Sequence, residues 1–427
     1  MVTGTKYSSL GELIRHHRKQ AEMTLVQLEE LTNVDKASIS RIESGQIRRP
    51  SLDTIQKINS ILNIPYEELI EQYIKVEDRA DILFNVLHEL VEGKNLYIIT
   101  KVAMKALQYP VEDSLDLVEK LYDIIENIEE PSIRVALYQA IIVYSRAHGI
   151  MPYLAKGMLQ AYLIERDDFS KLRSTYESGK GILLYEEFLT SEEQGVMYYK
   201  LSVHAYNLCL FEESIEFGKK ALDAKIRDRM RVSTLITLSN SYYNLGDYKQ
   251  TKEYFSQYKE FSFPEVEGRS KLTEANLHSL LGEYQLAISI LQENLSQYGD
   301  DSLLHAVNQL IKLYLQMHKL LDVKELLKLE ERLLSIPCVT PFKKAELALY
   351  YKLKGDYYVL LKRVREGAKC YLEAATRYAK VDLISKESEC LRQIMNIHKD
   401  NKEDIDFSIF GNLENYYDDK VKKGDYL

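Results

Sequence analysis

A short run of basic and small polar residues near the amino terminus has the composition of a surface that reads DNA. Lys36, Ala37, Ser40 and Arg41 recur at the spacing that places them on one face of a helix. The forked guanidinium of an arginine can pair with the O6 and N7 atoms of guanine. The loop QIRRP, residues 46–50, follows and adds two further cations. A helix with such an outer face, joined to a preceding helix by a short turn, is predicted to enter the major groove of DNA.

Five short helices are predicted over residues 8–72 to position that surface. Side chains that cap helices stand where the first four would begin, at Ser8 or Ser9, Thr24, Asp35 and Ser51. Gly45 suits a left-handed residue at the end of the third helix, and Pro65 suits the first turn of the fifth. The apolar residues expected to face inward are Leu10, Leu13, Ile14, Leu25, Leu28, Leu31, Ile39, Ile42, Leu52, Ile55, Ile58, Leu62, Leu69 and Ile70.

The run LTNVDKASISRIESGQIRRPSLDTIQKINSILNIP resembles the phage-repressor-like (XRE) helix-turn-helix family, with matches that include Ile39, Ser40, Glu43, Gly45 and Pro50. The resemblance implies that base edges are read by Lys36, Ala37 and Arg41. It implies that phosphate is contacted, or closely approached, by Ser38, Gln46, Arg48 and Arg49. It also implies an ion pair between Arg18 and Glu43 that serves folding.

One position departs from the XRE pattern. The family usually has Gln directly after the cap of the second helix, where that side chain touches the DNA backbone, and this chain has Leu25. One phosphate contact is therefore expected to be missing, and the nearby Gln27 is not expected to replace it.

Beyond about residue 76 the chain is a succession of helix pairs. The unit LITLSNSYYNLGDYKQTKEYFSQY resembles the 34-residue tetratricopeptide repeat. With Gly246 as the register mark, Gly282 follows 36 residues later and Cys209 precedes it by 37. The segments YLQMHKLLDVKELLKL and YYVLLKRVREGAKCYLEA continue the pattern. We expect four to five repeats over residues 195–380 and divergent repeats over 78–190.

Repeats of this type stack into a superhelix whose concave groove is lined by the first helix of each pair. The register places in that groove Tyr199, Tyr206, Asn207, Asn240, Tyr243, Asn244, Arg269, Asn276, Asn308 and Lys312. Asn240 and Asn276 occupy the same position of consecutive repeats. An Asn side chain carries donors and an acceptor, so two of them one repeat apart can hold the backbone of an extended peptide. For Asn207 and Asn244, which stand just before a turn, a structural role is the alternative.

Composition narrows the possible functions. The 427 residues carry a net charge of −9, and residues 1–75 hold 10 Lys and Arg against 10 Asp and Glu. The rest of the chain holds 46 against 55, so an acidic body leaves DNA contact to the neutral head. The sequence lacks a signal-peptide core and an apolar run of membrane-spanning length, which predicts a cytoplasmic protein without membrane contact.

The sequence also lacks the motifs of common enzymes. It has no Gly-rich phosphate loop, HExxH, GxSxG or metal-ligand set, so we expect neither catalysis nor a cofactor. The cysteines are far apart and are expected to be buried free thiols: Cys209, Cys338, Cys370 and Cys390.

The pairing of an XRE-type head with a long repeat array resembles the RRNPP family of peptide-pheromone receptors, above all its NprR branch. We expect an all-α fold in which a five-helix phage-repressor-like domain, residues 1–72, precedes a right-handed tetratricopeptide superhelix, residues 73–410. Residues 411–427 are expected to be an acidic tail. The resemblance implies a quorum-sensing transcriptional regulator that acts as a homodimer or higher oligomer. Its repeats would bind a short oligopeptide and thereby change binding to a double-stranded DNA operator.

Two alternatives stay open. The chain can instead be a scaffold that sequesters a partner protein, such as the sporulation-phosphorelay response regulator that NprR-like members bind without peptide. The departure at Leu25 favours this alternative. Phage arbitrium receptors share the same plan and are the second alternative.

Overall fold

Helices are the sole regular structure in the residues that the computed structural model describes, which are 7–296, 298–400 and 408–422. The prediction of an all-α fold is confirmed. The chain divides into two compact units, residues 1–164 and 165–427. The domain limits predicted at 72 and 410 remain predictions.

The first unit begins with five short helices, as the sequence predicts. They are α1 (Leu10–Gln20), α2 (Leu25–Thr32), α3 (Lys36–Glu43), α4 (Leu52–Leu62) and α5 (Tyr66–Tyr73). The side chains that accept a backbone N–H bond at the start of α1 to α4 are Ser9, Thr24, Asp35 and Ser51. Gly45 follows α3 with a φ of 76°, in the left-handed region.

The core of this unit follows the predicted pattern except on α2. Leu28 is fully buried, but Leu31 is 57% exposed, so the prediction that Leu31 faces inward is wrong. Thr32, four residues after Leu28, is buried in its place, and its hydroxyl donates to the Leu28 carbonyl at 2.6 Å. Leu25 and Leu52 are only partly buried.

Two contacts fix α3 against α1. Arg18 Nε and Nη2 donate to Glu43 Oε1 and Oε2 at 2.6 and 2.8 Å, which confirms the predicted ion pair. The hydrogen bonds that Arg18 donates to Glu43 raise the pKa of Arg18 above its ordinary value. At Gly11 a Cβ atom would lie 2.2 Å from the Ile42 carbonyl oxygen, so glycine permits the close approach of the two helices.

A buried carboxylate organises the chain between α5 and the next helix. Glu77 is fully buried, and its Oε1 accepts the backbone N–H groups of Asp78 and Arg79 at 3.1 and 3.0 Å. The Arg79 guanidinium donates to both oxygens of Glu77. The helices that follow are α6 (Ala80–Leu90), α7 (Leu96–Leu107), α8 (Ser114–Glu126), α9 (Pro131–His148) and α10 (Met151–Glu165).

The second unit is a series of helix pairs. Its helices are α11 (Leu172–Lys180), α12 (Ser191–Asn207), α13 (Phe211–Asp223), α14 (Asp228–Asn244), α15 (Tyr248–Tyr258), α16 (Pro264–Leu280), α17 (Tyr284–Glu293), α18 (Asp300–Gln316), α19 (Leu320–Leu327), α20 (Glu330–Leu334), α21 (Pro341–Leu360), α22 (Val364–Ala379), α23 (Ile384–Asp400) and α24 (Ser408–Lys422). The last of these helices includes the start of the expected acidic tail. Short 3-10 turns occur at Val91–Gly93, Phe169–Lys171 and Gly181–Phe188.

A left-handed residue marks the turn inside five of these pairs. The residues, with their φ angles, are Cys209 (60°), Gly246 (76°), Gly282 (77°), His318 (54°) and Lys362 (60°). The first three were predicted to share one repeat position, and the last two lie in the segments predicted to continue the pattern. The first helices α12, α14, α16 and α18 each have 17 residues. The repeat register predicted from the sequence is therefore confirmed.

All four cysteines are free, as expected, but only Cys370 and Cys390 are buried. Within the described ranges, the helices are all too short or too polar to cross a bilayer.

Candidate functional site

The outer face of α3 is accessible along its length. Lys36, Ala37, Ser40 and Arg41 are exposed, while Ile39 packs into the core on the opposite side. Arg41 Nε donates to the Ala37 carbonyl at 3.2 Å, so its guanidinium lies back along its own helix. The structure thus groups the four residues on one face, and their contact with DNA remains a prediction.

The residues predicted to meet phosphate lie in two different environments. Gln46, Arg48 and Arg49 are exposed in the loop after α3. Ser38 is half-buried, and both its backbone N–H and its hydroxyl donate to the Asp35 carboxylate, at 2.9 and 3.3 Å. The Ser38 side chain therefore completes the cap of α3.

Arg49 already has a carboxylate partner. Its guanidinium forms an ion pair with Asp78, which also lies 2.7 Å from Lys105 Nζ. The hydrogen bond from Lys105 is the main cause that lowers the pKa of Asp78. Arg48 differs from Arg49, since no ion pair joins it to another described residue.

The departure at Leu25 has a clear local structure. Leu25 is partly buried as the first residue of α2. Gln27 Oε1 accepts the Thr24 backbone N–H at 2.9 Å and the Thr24 hydroxyl at 3.0 Å, forming a capping box. The Gln27 carbonyl oxygen is thus engaged within the protein, in the cap of α2.

In the second unit, the residues predicted to line the groove surround a cavity of about 410 Å³. Four successive first helices contribute to it, through Tyr206, Asn207, Asn240, Tyr243, Asn244, Asn276, Asn308 and Lys312. Arg269 and Tyr199 line a neighbouring cavity of about 590 Å³ that shares Asn240. The structure therefore brings the predicted set together, while ligand binding by these residues remains a prediction.

One repeat position forms a ladder along the cavity wall. Asn240, Asn276, Lys312 and Asp356 each precede a left-handed turn residue by six positions, and all four line the cavity. Asn240 is half-buried and Asn276 is 4% exposed. Polar side chains at the same position of successive helix pairs suit a ligand whose polar groups also repeat, as those of an extended peptide do.

Two other asparagines already have partners within the protein. Asn308 Nδ2 donates to both the carbonyl and the carboxylate of Glu346 at 2.8 Å, which ties α18 to α21. Its Oδ1 is buried and has no hydrogen-bond partner among the described residues. Asn244 Nδ2 donates to the Asn240 carbonyl at 2.8 Å, which fits the structural alternative for this residue.

The far wall of the cavity was not predicted. It is formed by α21 and α23, which contribute Phe342, Glu346, Lys352, Asp356 and Lys386. The Phe342 ring on α21 lies 6.1 Å from the Tyr206 ring on α12. The first helix of the fifth pair therefore faces the first helix of the first pair across the cavity. Extending the register from Lys362 would have indicated Lys352 and Asp356, because these residues occupy groove positions of the fifth pair.

Electrostatics differ along this wall. Glu346 Oε2 lies 3.2 Å from His305 Nδ1. Burial alone would raise the pKa of Glu346, but His305, Asn308 and Lys386 together outweigh it, and the pKa is lowered. Burial raises the pKa of Tyr243 to about 12, and its hydroxyl donates to Gln309 Oε1 at 3.4 Å.

The amino-terminal part of the chain is similar to known proteins. Residues 14–69 match the family described as helix-turn-helix. The HTH-type transcriptional repressor RghR of Bacillus subtilis (strain 168) is 30% identical over 124 residues. That alignment covers 92% of RghR and 28% of this chain.

Two solved structures align with most of the chain at low sequence identity. A Rap protein complexed with competence and sporulation factor is 12% identical, with a TM-score of 0.39, covering 76% of this chain and 99% of that one. PlcR of Bacillus thuringiensis, in complex with the peptide PapR7 and DNA, is 15% identical, with a TM-score of 0.27, covering 90% and 99%.

Proposed function

Because this chain belongs to the helix-turn-helix family of transcriptional regulators, we propose that its repeats make it a regulator controlled by a short peptide. The exposed face of α3 reads the operator. An extended oligopeptide binds in the cavity of the second unit and changes operator affinity, as the sequence resemblance to peptide-pheromone receptors implies. The quorum-sensing role is part of this proposal.

The ladder that includes Asn240 and Asn276 is the observation that carries the proposal. Each amide can accept one hydrogen bond and donate two, which matches a peptide group of the ligand. Tyr206 and Tyr243 add aromatic surface beside the ladder, suited to side-chain pockets. A backbone-binding ladder with aromatic pockets favours a peptide over a small metabolite.

The position of the cavity provides a way for a bound peptide to change operator affinity. The cavity is lined by helices of four consecutive pairs and closed by α21. A peptide that contacts all of them stabilises one superhelical pitch over others, which is a shift between conformations. A coupling of about 1–3 kcal/mol would change operator affinity about 5- to 150-fold.

The test starts with the full-length protein and two random pools. A pool of DNA duplexes selects the operator, and a pool of random heptapeptides selects ligands that are identified by mass spectrometry. Gel-shift titration of the operator with and without a selected peptide then measures the coupling. Failure to retain any peptide contradicts the proposal.

Asn240→Ala tests the ladder itself. Loss of the amide should weaken the selected peptide by about 1–3 kcal/mol, or about 5- to 150-fold, because peptide groups are left unpaired. The melting temperature should hardly change. Asn294→Ala is the matched control, because Asn294 is also half-buried but lies outside both cavities, where its amide donates to the Ile290 carbonyl at 2.7 Å. A lower melting temperature with unchanged peptide affinity would show that Asn240 is a packing residue.

A scaffold that sequesters a partner protein is the second candidate. The observation in its favour is the departure at Leu25, whose apolar side chain cannot make the bond to the DNA backbone that the family's usual Gln makes. The duplex selection separates the two candidates, because a scaffold would enrich no sequence.

A further inference from the structure

Three lysines from three different helices converge on the cavity. Lys312 of α18, Lys352 of α21 and Lys386 of α23 all line it. Lys312 is exposed to the cavity, and the other two are half-buried. Leucine side chains, among them Leu353, line the same space, and apolar surroundings strengthen electrostatic interactions.

The two carboxylates of the cavity are already engaged. Asp356 Oδ2 lies 2.9 Å from Lys352 Nζ, and its Oδ1 accepts the Tyr371 hydroxyl at 2.8 Å. Glu346 accepts the Asn308 amide and faces His305. Asp356 therefore neutralises Lys352, while Glu346 is held on the α18 side by other partners.

Lys312 and Lys386 are left without such a partner. Within the described part of the chain, neither ammonium group forms an ion pair. Lys386 Nζ instead lies 5.8 Å from the centre of the Tyr378 ring. Burial, followed by repulsion from Lys352 and Lys386, lowers the pKa of Lys312. Asp356 and Glu346 thus offset two of the three lysine charges around the cavity, and one positive charge is left over.

We propose that Lys312 and Lys386 form a subsite for a carboxylate of the bound peptide. This inference rests on the proposed function and adds the ligand's chemistry, namely that the peptide is anchored by a negative group. The ladder indicates how the bound peptide runs along the cavity, because Lys312 occupies the ladder position next after Asn276. A peptide held by Asn240 and Asn276 along its backbone therefore reaches Lys312 with its next segment.

The charge count favours a carboxylate. With histidine counted as neutral, three lysines and two carboxylates leave one positive charge around the cavity. A single carboxylate balances that charge, whereas a phosphate dianion would reverse it. The group can be the carboxyl terminus of the peptide or the side chain of an Asp or Glu, and the experiment distinguishes these sources.

Four pools of random heptapeptides serve as the probe. They combine a free or amidated carboxyl terminus with the presence or absence of Asp and Glu. Full-length protein retains ligands, which mass spectrometry counts. We compare the wild type with Lys312→Gln/Lys386→Gln and with the control Lys369→Gln, whose lysine is exposed on α22.

The expected result is strong retention only from pools that contain a carboxylate. The double variant should lose about tenfold or more of that retention, as expected for loss of a charge-assisted hydrogen bond, and the control should lose none. Retention from the amidated pool with Asp and Glu assigns the group to a side chain. Retention from the free pool without them assigns it to the carboxyl terminus.

Other outcomes overturn the inference in distinguishable ways. Equal retention from the amidated pool that lacks Asp and Glu contradicts the carboxylate subsite but leaves peptide binding intact. No retention from any pool contradicts peptide binding and the subsite together. A thermal melt guards against misfolding, since removing unbalanced charge should leave the melting temperature of the double variant unchanged or higher. If its melting temperature falls sharply, Lys312→Gln alone is used, with the same criteria.

Discussion

At the scale of the residue, Arg41 and Arg48 separate base reading from phosphate contact. Arg41→Ala should weaken binding to the selected operator by about 1–3 kcal/mol and relax preference at one base pair. Arg48→Ala should instead weaken all duplexes alike, because phosphate is the same in every sequence. Gel-shift titration against operator and scrambled duplexes measures both. Unchanged operator affinity in Arg41→Ala would show that α3 is not the recognition helix.

The roles of several residues near the amino terminus could be predicted because they depend on nearby parts of the chain. The capping side chains at Ser9 and Asp35 and the ion pair of Arg18 depend on neighbours within a single small domain. Leu31 was misplaced for a different reason. On a helix as short as α2, spacing allowed either Leu31 or Thr32 to face inward, and the hydroxyl bond of Thr32 to its own helix made its burial inexpensive.

At the scale of the element, Glu77 should control the stability of the junction between α5 and α6. Burial raises its pKa, but Arg79 and the backbone N–H groups more than offset this and lower the pKa to about 2. A lowered folded pKa gives stability that is complete above the ordinary value of 4.5 and is lost as pH falls towards about 2. Glu77→Gln should therefore cost about 3 kcal/mol at pH 7 and clearly less at pH 3.

Thermal melts followed by circular dichroism at both pH values test this. Glu67→Gln, an exposed position on α5, is the control and should change neither melt. An equal drop in melting temperature at pH 7 and pH 3 would show that the charge of Glu77 does not matter.

The helix pairs were predictable as elements, but the closed cavity was not. Gly246 and Gly282 mark turns that can be recognised from the local sequence. Cys209, His318 and Lys362 have the same left-handed backbone conformation. The position of α21 opposite α12 depends on the superhelical pitch, which accumulates small rotations over several repeats. The contact of Phe342 with Tyr206 spans more than a hundred residues, and no local pattern encodes it.

At the scale of the whole molecule, we expect a homodimer on a two-fold related operator. A single helix-turn-helix domain makes too few contacts for tight specific binding, and the acidic remainder of the chain repels DNA. Light scattering at micromolar concentration should give twice the mass of the 49.7 kDa chain. Footprints of paired half-sites should accompany it. A monomeric mass with and without the selected peptide would contradict this expectation.

We expect Asp78 to compete with DNA for Arg49. Its carboxylate pairs with the guanidinium that is predicted to contact a backbone phosphate, so binding of DNA would have to displace it. Asp78→Asn should raise affinity for operator and scrambled duplexes equally, by about 1.5- to 5-fold, the range for an exposed ion pair. An increase confined to the operator, or none, would contradict this. On this expectation, a substitution at position 78 would change the resting occupancy of every operator without altering the outer face of α3.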